Sequence, residues 1–189
     1  MTISRRKLLT IIGGGTIAAA ATGTGLFAAT RTPKNALAPW ASAGAAEEPR
    51  RKALSYAILA PNPHNRQPWM VDLGQENLVR LYRDPSRDLP QTDPHQRQLT
   101  IGLGCFLELM RIAASRDGHD VAFELFPDGE DGPVADCRFQ DGASPDPLFD
   151  HVLARRSCKE PFSAEPVPAE LVARLETLAT IHTDLSLIH

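Results

Sequence analysis

The sequence lacks the side-chain patterns that mark disulfide-stabilised and metal-binding proteins. It has only three cysteines, and none of them is spaced as C-x-x-C. An odd number of cysteines without that spacing argues against a disulfide framework and against a zinc site. The six histidines show no ligand spacing such as H-x₃-H. The sequence therefore gives little support to one alternative function, an exported metal-binding or adhesion module.

A concentrated basic surface is also absent beyond the N-terminal segment. Of the 20 basic residues, five fall in residues 1–38, where no acidic residue occurs. The other 15 are outnumbered by 23 acidic residues, so this larger part of the chain is acidic overall. Nucleic acid is therefore not expected as a partner, because neutralising phosphates requires clustered cations.

What is present begins with an export pattern in residues 1–38. Ser4-Arg5-Arg6-Lys7 precedes a weakly hydrophobic run rich in glycine and alanine. A basic segment before an apolar one is typical of an export signal, and the adjacent arginines resemble a twin-arginine signal. The run is also long enough for the alternative, a membrane anchor. We therefore expect transfer by the twin-arginine translocase, already folded with a cofactor, to the periplasm or to a membrane-anchored position facing it, with or without cleavage.

The rest of the chain alternates between helical and strand-like patterns. Residues 39–48 are rich in small residues and predict a linker. Apolar spacing then predicts, in order, a short helix, a hairpin, a long helix and a second hairpin, at residues 49–59, 69–83, 95–116 and 121–139. This order indicates an α+β domain with an antiparallel sheet, which we assign to residues 49–148.

Within the long helix, Cys105 lies in an apolar stripe and is predicted to be a core residue. Gly102 and Gly104 are expected to allow close approach of another backbone. After a second linker, the pattern predicts helices at residues 151–156 and from Pro168 onward.

Residues 60–69, Ala-Pro-Asn-Pro-His-Asn-Arg-Gln-Pro-Trp, carry the most distinctive chemistry. Three prolines in eight residues exclude a helix or a central strand and predict a stiff loop. Asn65 and Gln67 offer both donors and acceptors, which suits the edge of a planar heterocycle. Trp69 is expected to root the loop in a core. A plain surface connection is the alternative, since loops rich in proline and asparagine are common.

A second chemical feature is a cationic cluster late in the chain, Arg155-Arg156-Ser157-Cys158-Lys159. Guanidinium groups bind phosphate through paired hydrogen bonds, and a serine hydroxyl adds a short donor. Solvated surface charge is the alternative interpretation for such a run.

Together, the two segments resemble the flavin-binding motifs of the nitroreductase superfamily. The matching patterns are Ala-Pro-x-x-x-Asn-x-Gln-Pro-Trp and Arg-Arg-Ser-x-Lys. The resemblance implies FMN as cofactor, with Asn65 and Gln67 beside the flavin ring. It implies a phosphate site formed by Arg155, Arg156, Ser157 and Lys159. Asn62 stands where the family usually has serine, and Lys159 stands where it usually has arginine. A lysine still neutralises phosphate, but it lacks the two parallel donors of a guanidinium group.

The order of the motifs, and the Pro-rich loop at residues 84–94, resemble the Acg-like branch, in which two nitroreductase-like halves are fused. This implies that residues 49–148 form a first half and that residues 149–189 begin a second, incomplete half. The missing part, or a homodimer partner, would then be needed to complete the site.

The resemblance implies an exported FMN-dependent oxidoreductase that moves electrons to a small planar acceptor, a nitro compound or a quinone. NAD(P)H is the expected donor class, and the flavin carries the electrons. The alternative is a protein that binds and sequesters FMN without turnover, with residues 84–94 as a lid.

Overall fold

The computed structural model describes residues 4–31, 34–129 and 131–182. Its chain divides into two compact units, with the division between Arg155 and Arg156. Unit 1 contains the sheet and all but one of the helices described below, whereas unit 2 contains an extended segment and one helix.

The N-terminal segment of unit 1 is helical. Helix α1 spans Arg5–Thr30, and the Ser4 hydroxyl caps it by accepting a hydrogen bond from the Lys7 amide at 3.4 Å. Helix α2 spans Lys34–Ser42. Its alanine-rich sequence favours helix, so the prediction of a linker beginning at residue 39 is wrong for its first four residues. Within the described ranges, no helix has both the length and the apolar character needed to cross a bilayer.

The sheet has four antiparallel strands in the order β1-β2-β4-β3. Each predicted hairpin is present, and the second strand of one pairs with the second strand of the other. The predicted α+β architecture with an antiparallel sheet is therefore confirmed. The strands are β1 (Trp69–Asp72), β2 (Leu78–Arg83), β3 (His119–Leu125) and β4 (Ala135–Asp141).

Helices α3 (Pro49–Ala57) and α4 (Arg97–Arg116) complete the core of unit 1. The apolar stripe predicted for α4 faces the core, and eleven residues of this helix are buried. Eight of these residues join buried residues of α3, β2, β3 and β4 in one cluster, whose best-buried members include Phe106, Leu103, Met110, Val79, Leu81 and Cys137.

The cysteines differ from the prediction in one respect. Cys105 is only half-buried at the edge of the cluster, whereas Cys137 on β4 is fully buried within it. Burial raises the pKa of the Cys137 thiol to about 12, so this thiol stays protonated and serves as an apolar core group.

One ion pair joins the middle of the sheet. Arg80 on β2 lies opposite Asp136 on β4, and the guanidinium donates to both carboxylate oxygens at 2.7 and 2.8 Å. The Asp136 side chain is 4% exposed. Its hydrogen bond with Arg80 holds the pKa of the carboxyl below its ordinary value, so the pair favours the folded state at neutral pH.

The chain leaves helical structure sooner than predicted after the sheet. Helix α5 spans only Phe149–Val152, and a turn follows at residues 153–154, so the prediction of a helix over residues 151–156 is wrong. Val152 is buried and anchors this short turn of helix. In unit 2, α6 spans Ala169–His182, directly after Pro168 as predicted. The side chains of residues 156–177 are all exposed.

Candidate functional site

The proline-rich segment forms a loop between α3 and β1, at residues 61–68. Its backbone includes three non-glycine residues in the left-handed region, His64 (φ 50°), Asn65 (φ 52°) and Gln67 (φ 50°). Such residues are uncommon, and they cluster where surrounding structure enforces a functional geometry. The 61–68 loop therefore has a fixed and costly shape, which a plain surface connection does not require.

Asn62 braces this shape from inside the loop. Its amide oxygen accepts a hydrogen bond from the Gln67 backbone N–H at 2.8 Å, and its amide nitrogen donates to the Ala60 carbonyl at 3.1 Å. One side chain thus ties the beginning of the loop to its end. An asparagine before a proline commonly makes such contacts to nearby backbone. The Asn62-Pro63 pair could therefore have predicted the structural role of Asn62. In the sequence, this residue was noted only as a departure from the family pattern.

The two predicted ring-binding amides sit at the outer surface of the loop. Asn65 and Gln67 are both exposed, and the Gln67 amide nitrogen lies 3.4 Å from the Asn65 amide oxygen. The structure thus brings the two side chains together. Their remaining donors and acceptors face outward, where they could reach a planar ligand with its own polar edge.

Trp69 and Pro68 root the loop in the core, as predicted. Pro68 is fully buried, and the Trp69 ring packs on Phe106 of α4 with centroids 5.0 Å apart. On the other side of the loop, a β-carbon added to Gly102 would lie 3.2 Å from Asn62 Cβ. The close approach predicted at Gly102 is confirmed, whereas Gly104 faces open space and that prediction is wrong.

A second loop, Asp84–Pro94, is hydrogen-bonded to the 61–68 loop at Arg66. Arg66 donates from Nε to the Arg87 carbonyl at 2.8 Å and from Nη2 to the Ser86 carbonyl at 3.1 Å. Arg87 returns a longer bond, from Nη1 to the Arg66 carbonyl at 3.4 Å. The two loops are therefore joined directly, which the sequence did not predict.

Asp84 gives the second loop its local shape. Its carboxylate accepts from the Ser86 backbone N–H at 2.9 Å and caps the short 3₁₀ turn at Pro85–Arg87. Hydrogen bonds from Ser86 lower the pKa of the Asp84 carboxyl, so it remains an ionised cap at neutral pH.

Arg155 is the predicted phosphate ligand that the structure places beside the 61–68 loop. Its Nη2 donates to the carbonyl of Leu59 at 2.7 Å, two residues before the loop begins. This contact spans 96 positions of sequence, and it joins one end of the cationic cluster to the amide-bearing segment. Arg155 therefore has a structural role at the start of the loop.

The other three predicted phosphate ligands, Arg156, Ser157 and Lys159, belong to unit 2 and are exposed. Within unit 2 they lie on an extended segment that precedes α6. Exposed guanidinium, hydroxyl and ammonium groups in this order can bind a phosphate.

Comparison with known proteins supports a relationship to the nitroreductase superfamily. The chain is 32% identical over 143 residues to a Mycobacterium tuberculosis protein named "Putative NAD(P)H nitroreductase acg", with 70% of this chain and 41% of the relative covered. A second protein of that organism with the same kind of name is 30% identical over 133 residues, with 68% and 38% covered. The chain thus spans about two fifths of the length of these curated relatives. No protein-family profile matches it.

A third relative, an uncharacterized protein of the same organism, is 34% identical over 80 residues, or 41% of this chain and 23% of the relative. The antiparallel sheet covered by α3 and α4 is compatible with a nitroreductase-like fold.

Proposed function

We propose that this chain acts in an exported FMN-dependent oxidoreductase of nitroreductase type. In this proposal, electrons pass from NAD(P)H through the flavin to a small planar acceptor, a nitro compound or a quinone. The observation that carries it is the braced 61–68 loop, which presents Asn65 and Gln67 side by side on a strained backbone. The relatives named as NAD(P)H nitroreductases support the reaction class and the donor.

The residues present fit FMN by their chemistry. The polar edge of a flavin ring needs both donors and acceptors, and two adjacent exposed amides supply both. The phosphate at the other end of FMN needs cations and short donors, which the segment from Arg155 to Lys159 contains. No paired carboxylate or Ser-His-Asp set is required, because a bound flavin supplies the electron transfer.

The protein's own contribution is to bind, orient and tune. Asn65 and Gln67 would hydrogen-bond the ring edge, and the left-handed backbone keeps them in place before the ligand arrives, so little ordering cost remains for binding. Arg156 and Lys159 would neutralise the phosphate, and Ser157 would donate a hydrogen bond to it.

A flavin titration of the purified 189-residue chain tests the proposal. We expect the fluorescence of added FMN to fall on binding, and Asn65→Ala to weaken binding by about tenfold, the effect of losing one hydrogen bond to the ligand. Gln98→Ala is the matched control, because Gln98 is an exposed amide on α4 and its loss should leave affinity unchanged. If Asn65→Ala and Gln98→Ala bind FMN with the same affinity, the proposed site is wrong.

Sequestration of FMN without turnover is the second candidate, and one observation favours it. The Asp84–Pro94 loop is joined to the 61–68 loop by the Arg66 and Arg87 contacts, which supports a role for it as a lid over a ligand held by Asn65 and Gln67. The two candidates separate when NADPH is added to the FMN-loaded chain without oxygen. Bleaching of the flavin absorbance supports an oxidoreductase, whereas retained colour supports sequestration.

Export by the twin-arginine route and a tandem arrangement of two nitroreductase-like halves complete the proposal. The Ser4-Arg5-Arg6 start of α1 supports the first, and the greater length of the relatives supports the second. Replacing Arg5 and Arg6 by lysine should leave a reporter fused to residues 1–48 in the cytoplasm, whereas the unchanged segment should carry it out.

A further inference from the structure

Unit 1 contains a cleft that is distinct from the surface formed by Asn65 and Gln67. It has a volume of about 950 Å³ and lies where the ends of β1 and β2 meet the start of α4 and the β3–β4 connection. Pockets for small molecules have volumes of roughly 300–1,000 Å³, so the cleft is large enough for one. Its walls include Met70, Tyr82, Arg83, Gln96, Thr100 and Phe126.

Met70 and Phe126 give the cleft an apolar surface. Met70 and Phe126 are 47% and 46% exposed, which leaves their apolar surface accessible to a ligand. Phe126 also has a left-handed backbone, at φ 51°, and this conformation is a marked outlier for a bulky residue. Hydrogen bonds enforce it, from the Phe126 N–H to the Val134 carbonyl and from the Gly129 N–H to the Phe126 carbonyl, each 3.0 Å long. Residues in such sparsely populated conformations cluster at ligand-binding and active sites, and Phe126 lines this cleft.

Two other lining residues, Arg83 and Gln96, already hold a carboxylate. The Arg83 guanidinium donates to Oδ1 of Asp88, and the Gln96 amide donates to Oδ2 of the same side chain at 3.2 Å. Gln96 also has a left-handed backbone, at φ 56°. Two donors, one of them charged, thus converge on one carboxylate that comes from the Asp84–Pro94 loop. Arg83 and Asp88 are 27% and 28% exposed, so an incoming anion can reach the pair.

We infer that this cleft binds a flat aromatic carboxylate, with the ring against Met70 and Phe126 and the carboxylate on Arg83 and Gln96. Asp88 then acts as an internal competitor that occupies the anion position when no ligand is bound. On binding, the ligand's carboxylate displaces that of Asp88 from the two donors. This inference does not rest on the proposed flavin chemistry, because it uses none of the residues assigned to FMN.

Titration of the purified chain with 2-naphthoate, followed by its fluorescence, tests the inference. Arg83→Gln should weaken binding by about tenfold, because it removes the charged donor. Asp88→Asn should strengthen binding by about tenfold, because it removes the competing carboxylate. Phe126→Ala should weaken the binding of naphthoate and of neutral 2-naphthamide equally. Arg138→Gln is the control, because Arg138 is an exposed arginine of β4 that does not line the cleft. It should leave the affinity for 2-naphthoate unchanged.

The increase expected for Asp88→Asn protects the test from a variant that merely unfolds, since unfolding cannot raise affinity. Equal affinity of the unchanged chain for 2-naphthoate and 2-naphthamide would overturn the inference, as would weaker binding by Asp88→Asn. Addition of FMN separates the two sites. Simultaneous binding of FMN and naphthoate supports a separate cleft, whereas mutual displacement overturns it and makes the cleft part of the flavin site.

Discussion

The 61–68 loop and the segment at residues 156–159 were both predicted to hold one ligand, yet they differ in what fixes them. Asn62, Arg66, Gly102 and Trp69 constrain the first by hydrogen bonds and by packing on α4. The second has exposed side chains throughout. A ligand meeting the first finds its partners already placed, whereas the second offers charged and polar side chains at the surface.

This contrast matches two kinds of recognition. Recognition of a ring edge depends on the direction of hydrogen bonds, which a constrained loop provides. Neutralisation of a phosphate depends mainly on charge, which an exposed arginine or lysine supplies.

The largest expected effect comes from removing the aromatic support of the loop. Phe106→Ala should lower the free energy of unfolding by about 4 kcal/mol, the usual cost of a large cavity, because Phe106 is fully buried beneath Trp69. The matched substitution in unit 2 is Phe162→Ala. Phe162 is 94% exposed, so its effect should stay within about 0.5 kcal/mol. Urea denaturation measures both, and comparable losses would contradict the difference between the two regions.

A smaller effect is expected from the ion pair of the sheet. Asp136→Asn should cost about 2 kcal/mol at pH 7, because it leaves the Arg80 guanidinium without its buried charged partner. The native pKa of Asp136 lies below its unfolded value. Its contribution is therefore present above the unfolded pKa and is lost as the pH falls through the native one.

Denaturation at several pH values checks the second part of this prediction. The difference between the unchanged chain and Asp136→Asn should be constant from pH 6 to 8 and should shrink below about pH 4, near the ordinary pKa of an aspartate. Glu160→Gln, at an exposed carboxylate of unit 2, is the control and should have almost no effect at any of these pH values. A difference that grows in acid would reverse the sign of the inferred linkage.

The smallest expected effect concerns the brace of the loop. Asn62→Ala should cost about 1 kcal/mol, since it removes the two hydrogen bonds to Gln67 and Ala60. The sensitive measurement is hydrogen exchange of the Gln67 amide, which should become faster by about tenfold. Asn62→Asp keeps an acceptor for that amide and should preserve most of its protection. Unchanged exchange in Asn62→Ala would show that the proline residues alone set the loop.

The sequence predicted the elements of unit 1 well because its periodicities are strong. The alternating runs around Val79 and Cys137 lie in paired strands, and the broad apolar stripe of α4 forms the core. Prolines and amides also marked the 61–68 loop and the two side chains that it presents. These features depend on local pattern, which a single sequence displays directly.

The failures concern features that only tertiary contacts decide. The helix predicted at residues 151–156 ends early, where the chain turns and Arg155 bonds to Leu59. Gly102 and Gly104 look alike in sequence, but only Gly102 meets another segment. The left-handed backbone of the 61–68 loop and of Phe126 could not be predicted, because no glycine marks it. It occurs at His64, Asn65, Gln67 and Phe126. The pairing of Arg83 with Asp88 could not be predicted, because it depends on the path of the loop between them.

The contact between the 61–68 loop and the Asp84–Pro94 loop affects which substitutions the protein can accept during evolution. Arg66 and Arg87 donate only to main-chain oxygens across this junction, so the side chain of Ser86 takes no part in it. A substitution at such an acceptor position preserves the bond, and no compensating change is required in the partner loop. Correlated substitutions between aligned relatives would consequently miss this coupling, although hydrogen bonds join the two loops directly.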